Sequence, residues 1–306
     1  MKLIKPYFEI WEQSASLEGV YKQIEKVGRV CYKSDDKITE DSAKPFVDRM
    51  IRSGHGAMLE HGTVYLFCPT EEYVDSNGDV QYYNPLEKYQ NNNYSALVDS
   101  NEGIYVTTNL RVLVENGWMG DLQYLCEPTE FHEKRITVHF VCDRGVSHEF
   151  VRHRVMSFAQ ESTRYCNYSK DKFGNELTFI IPEWCPEIRE GSNKGWNPCS
   201  IYDKLYLQHL QNAENTYFAL LKQWDERVPD KRYKSGFKNN PWTPQQARAV
   251  LPNSLKTELV VTGFTSDWNH FFDLRARGTT GAPHPQAKEL AEPLMEEFVT
   301  RKYINN

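Results

Sequence analysis

The stretch from Ile136 to Ser162 constrains the fold of this chain more than any other. Ile136 to Cys142 alternates apolar side chains, the pattern of a partly buried strand. Asp143-Arg144-Gly145 reads as a turn. Ser147 stands where it can cap a following helix, with Phe150 and Val151 facing the core. Arg152-His153-Arg154 then falls on the later turns of a helix packed on a sheet. Such a helix buries one face and carries three adjacent basic side chains at its end. A chain that folds this way sets a cationic cluster at the margin of a core.

Val155-Met156-Ser157-Phe158-Ala159-Gln160-Glu161-Ser162 follows, then Thr163, Arg164 and Tyr165. Arg presents a planar fork of donors that suits phosphate and carbonyl edges. The run therefore suggests a pocket for an anionic ligand rich in acceptors, such as a nucleotide. A basic cluster is more often a solvated helix face, but the apolar flanks of this one argue for a site. On a helix Arg152 and Arg154 point to different sides, so they could grip two ligands or two parts of one large ligand. Glu149 lies three and four positions before Arg152 and His153, a spacing for an ion pair that equally suits a structural role.

The chain as a whole has the opposite sign. Its 306 residues carry 36 Lys and Arg against 42 Asp and Glu, a net charge of −6. A general nucleic-acid binder needs a basic surface, so no nucleic-acid partner is expected and the cluster reads as a small-molecule anion site. Seven cysteines (31, 68, 126, 142, 166, 185 and 199) are odd in number and form no Cys-x-x-Cys pair. That usage points to a reduced, cytoplasmic protein with no metal site. The start, Met1-Lys2-Leu3-Ile4-Lys5-Pro6, lacks the long apolar stretch of a signal peptide. No apolar run approaches membrane-spanning length, so no membrane partner is expected.

The rest of the chain mixes helix and strand signals. Leu17 to Tyr32 repeats apolar residues at a helical period, and Ser42 to Ser53 reads as a second helix ending near Gly54. Asp75-Ser76-Asn77-Gly78-Asp79 is a strong turn signal between two short strands, Tyr73-Val74 and Val80 to Tyr83. A strand is expected at Ile104 to Thr107 and a helix at Asn109 to Asn116, stopped by Gly117. Pro182 to Cys199 is loop-like, with three Pro and two Gly, and Tyr202 to Arg227 reads as a long amphipathic helix. Thr243-Pro244-Gln245-Gln246 is a capping box with Pro at the first helical position, opening a helix that carries Arg248. Lys256 to Val261 reads as a strand and Asp267 to Arg275 as a helix. Glu289 to Lys302 should be helical, with Pro293 kinking it or marking its first turn.

Spacing adds a resemblance. Arg-His-Arg, seven residues, then Ser162 resembles the signature of the flavin-dependent thymidylate synthases. Gly54-His55-Gly56-Ala57-Met58-Leu59-Glu60-His61, leading into a strand at Thr63 to Phe67, resembles that family's Gly-His segment. Gln246-Ala247-Arg248-Ala249-Val250-Leu251-Pro252 is similar to its Ala-Arg-x-x-Leu-Pro segment. Thr262-Gly263, His270 to Arg275 and His284-Pro285-Gln286 resemble its closing motifs. The resemblance spans residues 15–68 and 132–302 and leaves a block at 69–132 that keeps aromatics and Leu/Val, hence an ordered insertion.

The resemblance implies an α+β fold, a mixed sheet flanked by helices, in a single domain over 1–306. It implies reductive methylation of dUMP at C5, with 5,10-methylenetetrahydrofolate as carbon donor and FAD and NADPH as redox cofactors. A cytoplasmic homotetramer with shared active sites goes with it. The implied flavin contacts are Arg152, His153 and Arg154, joined by His55, Gln160, His270 and His284. The implied nucleotide contacts are Glu149, Arg152 and the segment Gln160, Glu161, Ser162, Thr163 and Arg164. Ser162 orients the uracil ring, and Arg164 and Arg248 take phosphate. Arg275 stabilises the ionised ring, the electrostatic logic of an oxyanion hole. Ser162 and Arg275 are thus the implied catalytic residues. A nucleophilic Ser162 would need an adjacent base, and Arg248 alone could be a helix-surface ion pair. His55 and His284, taken singly, each read as a structural histidine. No cysteine attacks the substrate in this family, and Cys166 reads as structural.

The chain departs from the pattern in places. Ala159-Gln160 stands where many members have Asn-Glu, Phe264-Thr265-Ser266 where Asn-x-Arg is common, and Ala57 where a Thr is common. A sister enzyme that hydroxymethylates or methylates another pyrimidine nucleotide would keep the same phosphate and flavin residues. A silent nucleotide-binding paralogue would be expected to lose Arg275 or Ser162, and both are present.

Overall fold

The structure, a computed structural model, describes residues 1–190, 198, 200–222 and 241–305. The strands in chain order are β1 (Lys2–Ile4), β2 (Tyr7–Trp11), β3 (Thr63–Pro69), β4 (Glu71–Val74), β5 (Val80–Tyr83), β6 (Ala96–Ser100), β7 (Gly103–Asn109), β8 (Arg135–Asp143), β9 (Ser157–Gln160), β10 (Thr178–Ile180) and β11 (Lys256–Phe264). The helices are α1 (Leu17–Tyr32), α2 (Ala43–Arg52), α3 (Gly56–Leu59), α4 (Leu110–Asn116), α5 (Arg144–Phe150), α6 (Pro186–Glu190), α7 (Ile201–Leu221), α8 (Pro244–Ala247), α9 (Thr265–Phe272) and α10 (Pro285–Thr300). The α+β class holds, with the strands distributed over four small sheets. The chain forms two compact units. The smaller comprises Met1–Tyr7, Val141–Glu149 and Glu161–Thr257; the larger comprises Phe8–Phe140, Phe150–Gln160 and Glu258–Asn306.

In the larger unit α1 forms over the residues its apolar period marks. Ser16 caps it by accepting from the Gly19 amide at 3.1 Å, and Val20, Ile24 and Val27 are fully buried. Gly28 lets α2 approach, since a Cβ there would sit 2.5 Å from the Phe46 ring. The four-stranded sheet runs β2-β8-β11-β9, and β9 pairs antiparallel with β11, Ala159 opposite Val260. Both of those residues join Val27 and Val30 in one apolar cluster.

The block at 69–132 packs onto β3. Strand β7 pairs antiparallel with β3 from Thr63–Asn109 to Pro69–Gly103, and β6 pairs with β7, giving the order β3-β7-β6. Strands β4 and β5 form a hairpin around the 75–79 turn. Asn109 caps α4 by accepting from the Val112 amide at 3.2 Å, and Gly117 ends it with φ at 71°. Leu86, Tyr89, Val106, Leu110 and Leu113 are buried, and the Tyr89 hydroxyl donates to Asp121 at 2.8 Å.

In the smaller unit β1 pairs parallel with β10, and α7 is capped by Ser200, whose hydroxyl accepts from the Asp203 amide at 3.4 Å. Phe179, Leu177, Leu210, Tyr217, Ala247 and Leu255 make its core. The expected helix to Arg227 is seen as far as Leu221, and its residues 223–227 lie outside the described residues. The expected loop at 182–199 contains the short helix α6, and its residues 191–197 and 199 lie outside the described residues.

Five local expectations are corrected. Strand β8 is buried at every position instead of on one face. It runs into α5 with no intervening turn, because Asp143, not Ser147, caps that helix: the Asp143 carboxylate accepts from the Val146 amide at 2.8 Å. The helix consequently ends at Phe150, and Arg152-His153-Arg154 lies on the turns after it. The helix expected at Asp267–Arg275 is α9 followed by a π-helical turn, Asp273–Arg277. Helix α10 opens at Pro285 and holds Pro293 in its interior, not in its first turn.

Candidate functional site

The residues named from the sequence divide between the units. His55, Arg152, His153, Arg154, Gln160, His270, Arg275 and His284 belong to the larger unit. Glu149, Glu161, Ser162, Thr163, Arg164 and Arg248 belong to the smaller.

In the larger unit the turn after α5 buries His153, 4% exposed, and leaves Arg152 and Arg154 exposed on either side of it. The π-helical turn brings Arg275 back onto this triplet: its Nε donates to His153 Nε2 at 3.0 Å. A guanidinium has no acceptor. His153 Nε2 therefore carries a lone pair, the ring is neutral in this pairing, and its proton sits on Nδ1. The His153 ring packs 4.9 Å from Phe271 and 6.0 Å from His270, and Phe271 in turn meets Phe150 at 5.0 Å. This aromatic packing fixes the imidazole that fixes Arg275. A π-turn inserted at a helix end recurs at functional sites. His55 and His284 are both exposed, at the starts of α3 and α10.

In the smaller unit a cavity of 320 Å³ is lined by Arg144, Thr163, Arg248, Leu251, Pro252 and Asn253, among others. Thr163 and Arg248 are thus brought together. In the sequence Arg144 reads only as a turn residue. As the first residue of α5 its backbone amide is tied to the Asn253 carbonyl at 2.8 Å, and its Nη1 is buried with no hydrogen-bond partner. A buried guanidinium nitrogen without an acceptor is costly, and Arg144 lines this cavity together with a second arginine. Glu161 is 3% exposed, and its carboxylate accepts from the Tyr168 hydroxyl at 3.0 Å and from Lys256 at 2.9 Å. Its position next to Ser162 anchors the loop. Ser162 Oγ accepts from the Arg164 amide at 3.3 Å, and Arg164 Nε donates to Gln245 at 3.1 Å. The capping box closes as expected, Thr243 N donating to Gln246 at 2.9 Å, though α8 is short and Arg248 begins the 3-10 turn after it.

A second cavity of 320 Å³ lies wholly in the larger unit, lined by Glu60, Arg111, Glu115, Arg135, Phe264 and Asp267 among others. Arg135 is fully enclosed and burial holds its pKa down at about 10. Among the described residues no cluster of three His, Cys, Asp or Glu could hold a metal ion, and no helix is long and apolar enough to cross a membrane.

A flavin-dependent thymidylate synthase of Corynebacterium efficiens is 31% identical over 136 residues, 44% of this chain and 46% of that one. One from Thermococcus onnurineus is 32% identical over 135 residues, 44% of this chain and 43% of that one. The chain thus spans about half the length of the relatives it matches. A crystal structure of a UMP/dUMP methylase, PolB from Streptomyces cacaoi, superposes with a TM-score of 0.40 at 17% identity, covering 98% of this chain and 93% of that one. The family model described as thymidylate synthase complementing protein matches residues 122–301, which include the Arg-His-Arg turn, the loop at 160–164, Arg248 and Arg275. With more than half of its length under that match, the chain belongs to the thymidylate synthase complementing protein family.

Proposed function

We propose that this chain is a flavin-dependent thymidylate synthase. It converts dUMP to dTMP by reductive methylation at C5, with 5,10-methylenetetrahydrofolate as carbon donor, FAD as flavin and NADPH as reductant. The observation that carries the reading is the Arg275–His153 contact at 3.0 Å, which joins the signature triplet to the last motif of the family. The relatives' flavin dependence and the family match support it.

The residues present fit a flavin dinucleotide. Arg152 and Arg154 are two exposed guanidinium groups on one turn, each able to fork onto a phosphate oxygen pair. When bound and reduced, the flavin supplies the hydride. The protein's own part is binding and electrostatics. Arg144, Arg248 and Thr163 line a cavity whose donors suit the nucleotide phosphate. Arg275, oriented by His153, supplies positive charge to the uracil oxygen on which negative charge develops. Ser162 accepts from the Arg164 amide and orients the ring; it is not set up as a nucleophile. His55, Gln160, His270 and His284 join the flavin site, and Glu149 the nucleotide site. Glu161 acts as a positioning residue through Tyr168 and Lys256. The protein works as a cytoplasmic homotetramer whose active sites are built from several subunits.

The test is a visible spectrum of the purified full chain, followed by tritium release from dUMP labelled at C5 with folate and NADPH present. Flavin absorbance and release of tritium, with a product in which a methyl group replaces the C5 hydrogen of dUMP, are expected. A colourless protein that takes up no added flavin would sink the reading. A product carrying a hydroxymethyl group would reassign the chain to a sister reaction.

A further inference from the structure

The hairpin of β4 and β5 lies in the block that precedes the family match at residue 122. Both of its ends are tied. At the turn the Asp75 carboxylate accepts from the Asn77 amide at 2.8 Å and from the Asp79 amide at 3.0 Å. At the base the buried Asn84 donates its amide nitrogen to the Cys68 carbonyl at 2.8 Å, joining the end of β5 to β3. Between these ties every residue of both strands is exposed. Tyr73, Val74, Val80, Tyr82 and Tyr83 are each half exposed or more. Among the described residues no third strand joins the sheet. A two-stranded hairpin with no covered face is marginal in water, and its outer edges present unpaired backbone groups. Large apolar side chains gathered on such an arm mark an interaction surface.

Charge along the two edges selects the occupant. Glu72 pairs with Tyr82 and Val74 with Val80, so Val74, Val80 and Tyr82 share one face. A two-fold axis perpendicular to the sheet sets a strand antiparallel to its own copy, even-numbered residues opposite even and odd opposite odd. Like charges set opposite one another are destabilising. Along β4 the fullest registers put Glu72 opposite itself or Glu71 opposite Asp75. Strand β5, Val80-Gln81-Tyr82-Tyr83, carries no charge. With Gln81 on the axis, Val80 of each copy meets Tyr82 of the other, a β-branched residue against an aromatic one. Val74, Val80 and Tyr82 of both copies then form one apolar face, and Glu71 and Glu72 stay on the outer strands. An unrelated partner would have to bring an uncharged free edge of its own, whereas a second copy brings one of matched length.

We propose that two copies of this chain join along β5, antiparallel about Gln81, in a continuous sheet of strand order β4-β5-β5-β4. Main-chain hydrogen bonds across the axis satisfy the open edge of β5. Four strands with a shared apolar face reach the size that a free sheet needs. An edge of four residues buries far less than the roughly 800 Å² per partner of a free-standing interface. The pairing therefore adds to subunit contacts made elsewhere and supplies one interface of the homotetramer proposed above. It gives the 69–132 block a role in assembly and rests on no part of the flavin reading.

The test is a cross-link on the axis. Directly opposed residues of an antiparallel pair stand about 4.5–5.5 Å apart at Cα, within disulfide reach. Mild oxidation of full-length Gln81→Cys is expected to give a covalent dimer of most chains on a non-reducing gel. Wild type should give none, nor should Ser76→Cys, at the tip of the same hairpin. Tyr82→Lys sets two cations on the shared face and should halve the mass of the wild-type assembly in light scattering. Tyr73→Lys, on the other face of β4, should leave that mass unchanged. All these side chains are exposed, so the variants do not threaten the fold. Absence of the Gln81→Cys cross-link, or an equal one in Ser76→Cys, overturns the proposal, as does a Tyr82→Lys assembly of wild-type mass. A tetramer that forms no cross-link overturns this contact, keeps the homotetramer and leaves the hairpin to a partner other than this chain.

Discussion

Arg275 donates from Nε to His153 Nε2 at 3.0 Å, so the guanidinium of one family motif is held by the central imidazole of another. The pairing requires a neutral imidazole, because a protonated Nε2 would point a second donor at a cation. The contact orients the Arg275 guanidinium.

Removing that charge should abolish chemistry and spare the cofactor. Arg275→Ala is expected to lower turnover roughly 100- to 1,000-fold, the loss typical of one oxyanion-type donor. Flavin absorbance should persist. Arg275→Lys keeps the charge and loses the fork, so it should recover only part of the rate. Tritium release and the visible spectrum, taken on the same preparations, check both outcomes. Full activity in Arg275→Ala would remove the residue from the mechanism.

A different arrangement predicts acid sensitivity. His61 is completely buried, with Nδ1 2.8 Å from Thr262 Oγ1, which is itself 2.8 Å from Thr137 Oγ1. Burial first, and the nearby Arg135 charge second, push its pKa from 6.5 down to about 3. Between those values the unfolded chain binds a proton at this position and the folded chain does not. Stability should therefore fall as the pH drops from about 6.5 toward 3, by up to about 1.4 kcal/mol per pH unit from this group. His61→Asn keeps a polar side chain without the titration, and its denaturant midpoint should change less over that range. An unchanged pH slope in the variant would assign the acid sensitivity to other groups.

Helix α5 shows what the sequence could and could not reveal. Helices α1 and α2, the stop at Gly117 and the 75–79 hairpin were legible because their signals are local and unopposed: an apolar period, a cap, a glycine with positive φ. At α5 two caps compete, Asp143 and Ser147, and both fit the pattern of a polar residue before an apolar stretch. The choice is made by β8, which is buried throughout and delivers the chain directly into the helix at Arg144. Asp143→Ala should cost about 1–2 kcal/mol, the upper part of the capping range, whereas Ser147→Ala leaves that cap in place and should cost less. Thermal midpoints of the two variants rank them. A larger loss in Ser147→Ala would reverse the cap assignment.

The same shift makes Arg144 a cavity residue instead of a turn residue. Read as a turn residue it had no partner, because the rest of its cavity comes from Thr163 and from Arg248–Asn253, far along the chain. Placed at the first turn of α5, it lines a cavity with a second arginine, and its Nη1 is buried without a hydrogen-bond partner. Each charged hydrogen bond to a phosphate is worth about 1.5–3 kcal/mol, so Arg144→Ala and Arg248→Ala should each raise KM for dUMP roughly 10- to 100-fold. Because these contacts persist unchanged from bound substrate to transition state, kcat should move little. Turnover of deoxyuridine, which has no phosphate, should be equally poor in wild type and variants. The pattern separates a phosphate ligand from a structural arginine, whose loss would lower the thermal midpoint and depress both substrates together. Arg144→Ala with an unaltered KM for dUMP would leave Arg248 and Thr163 as the only members of this cavity assigned to phosphate.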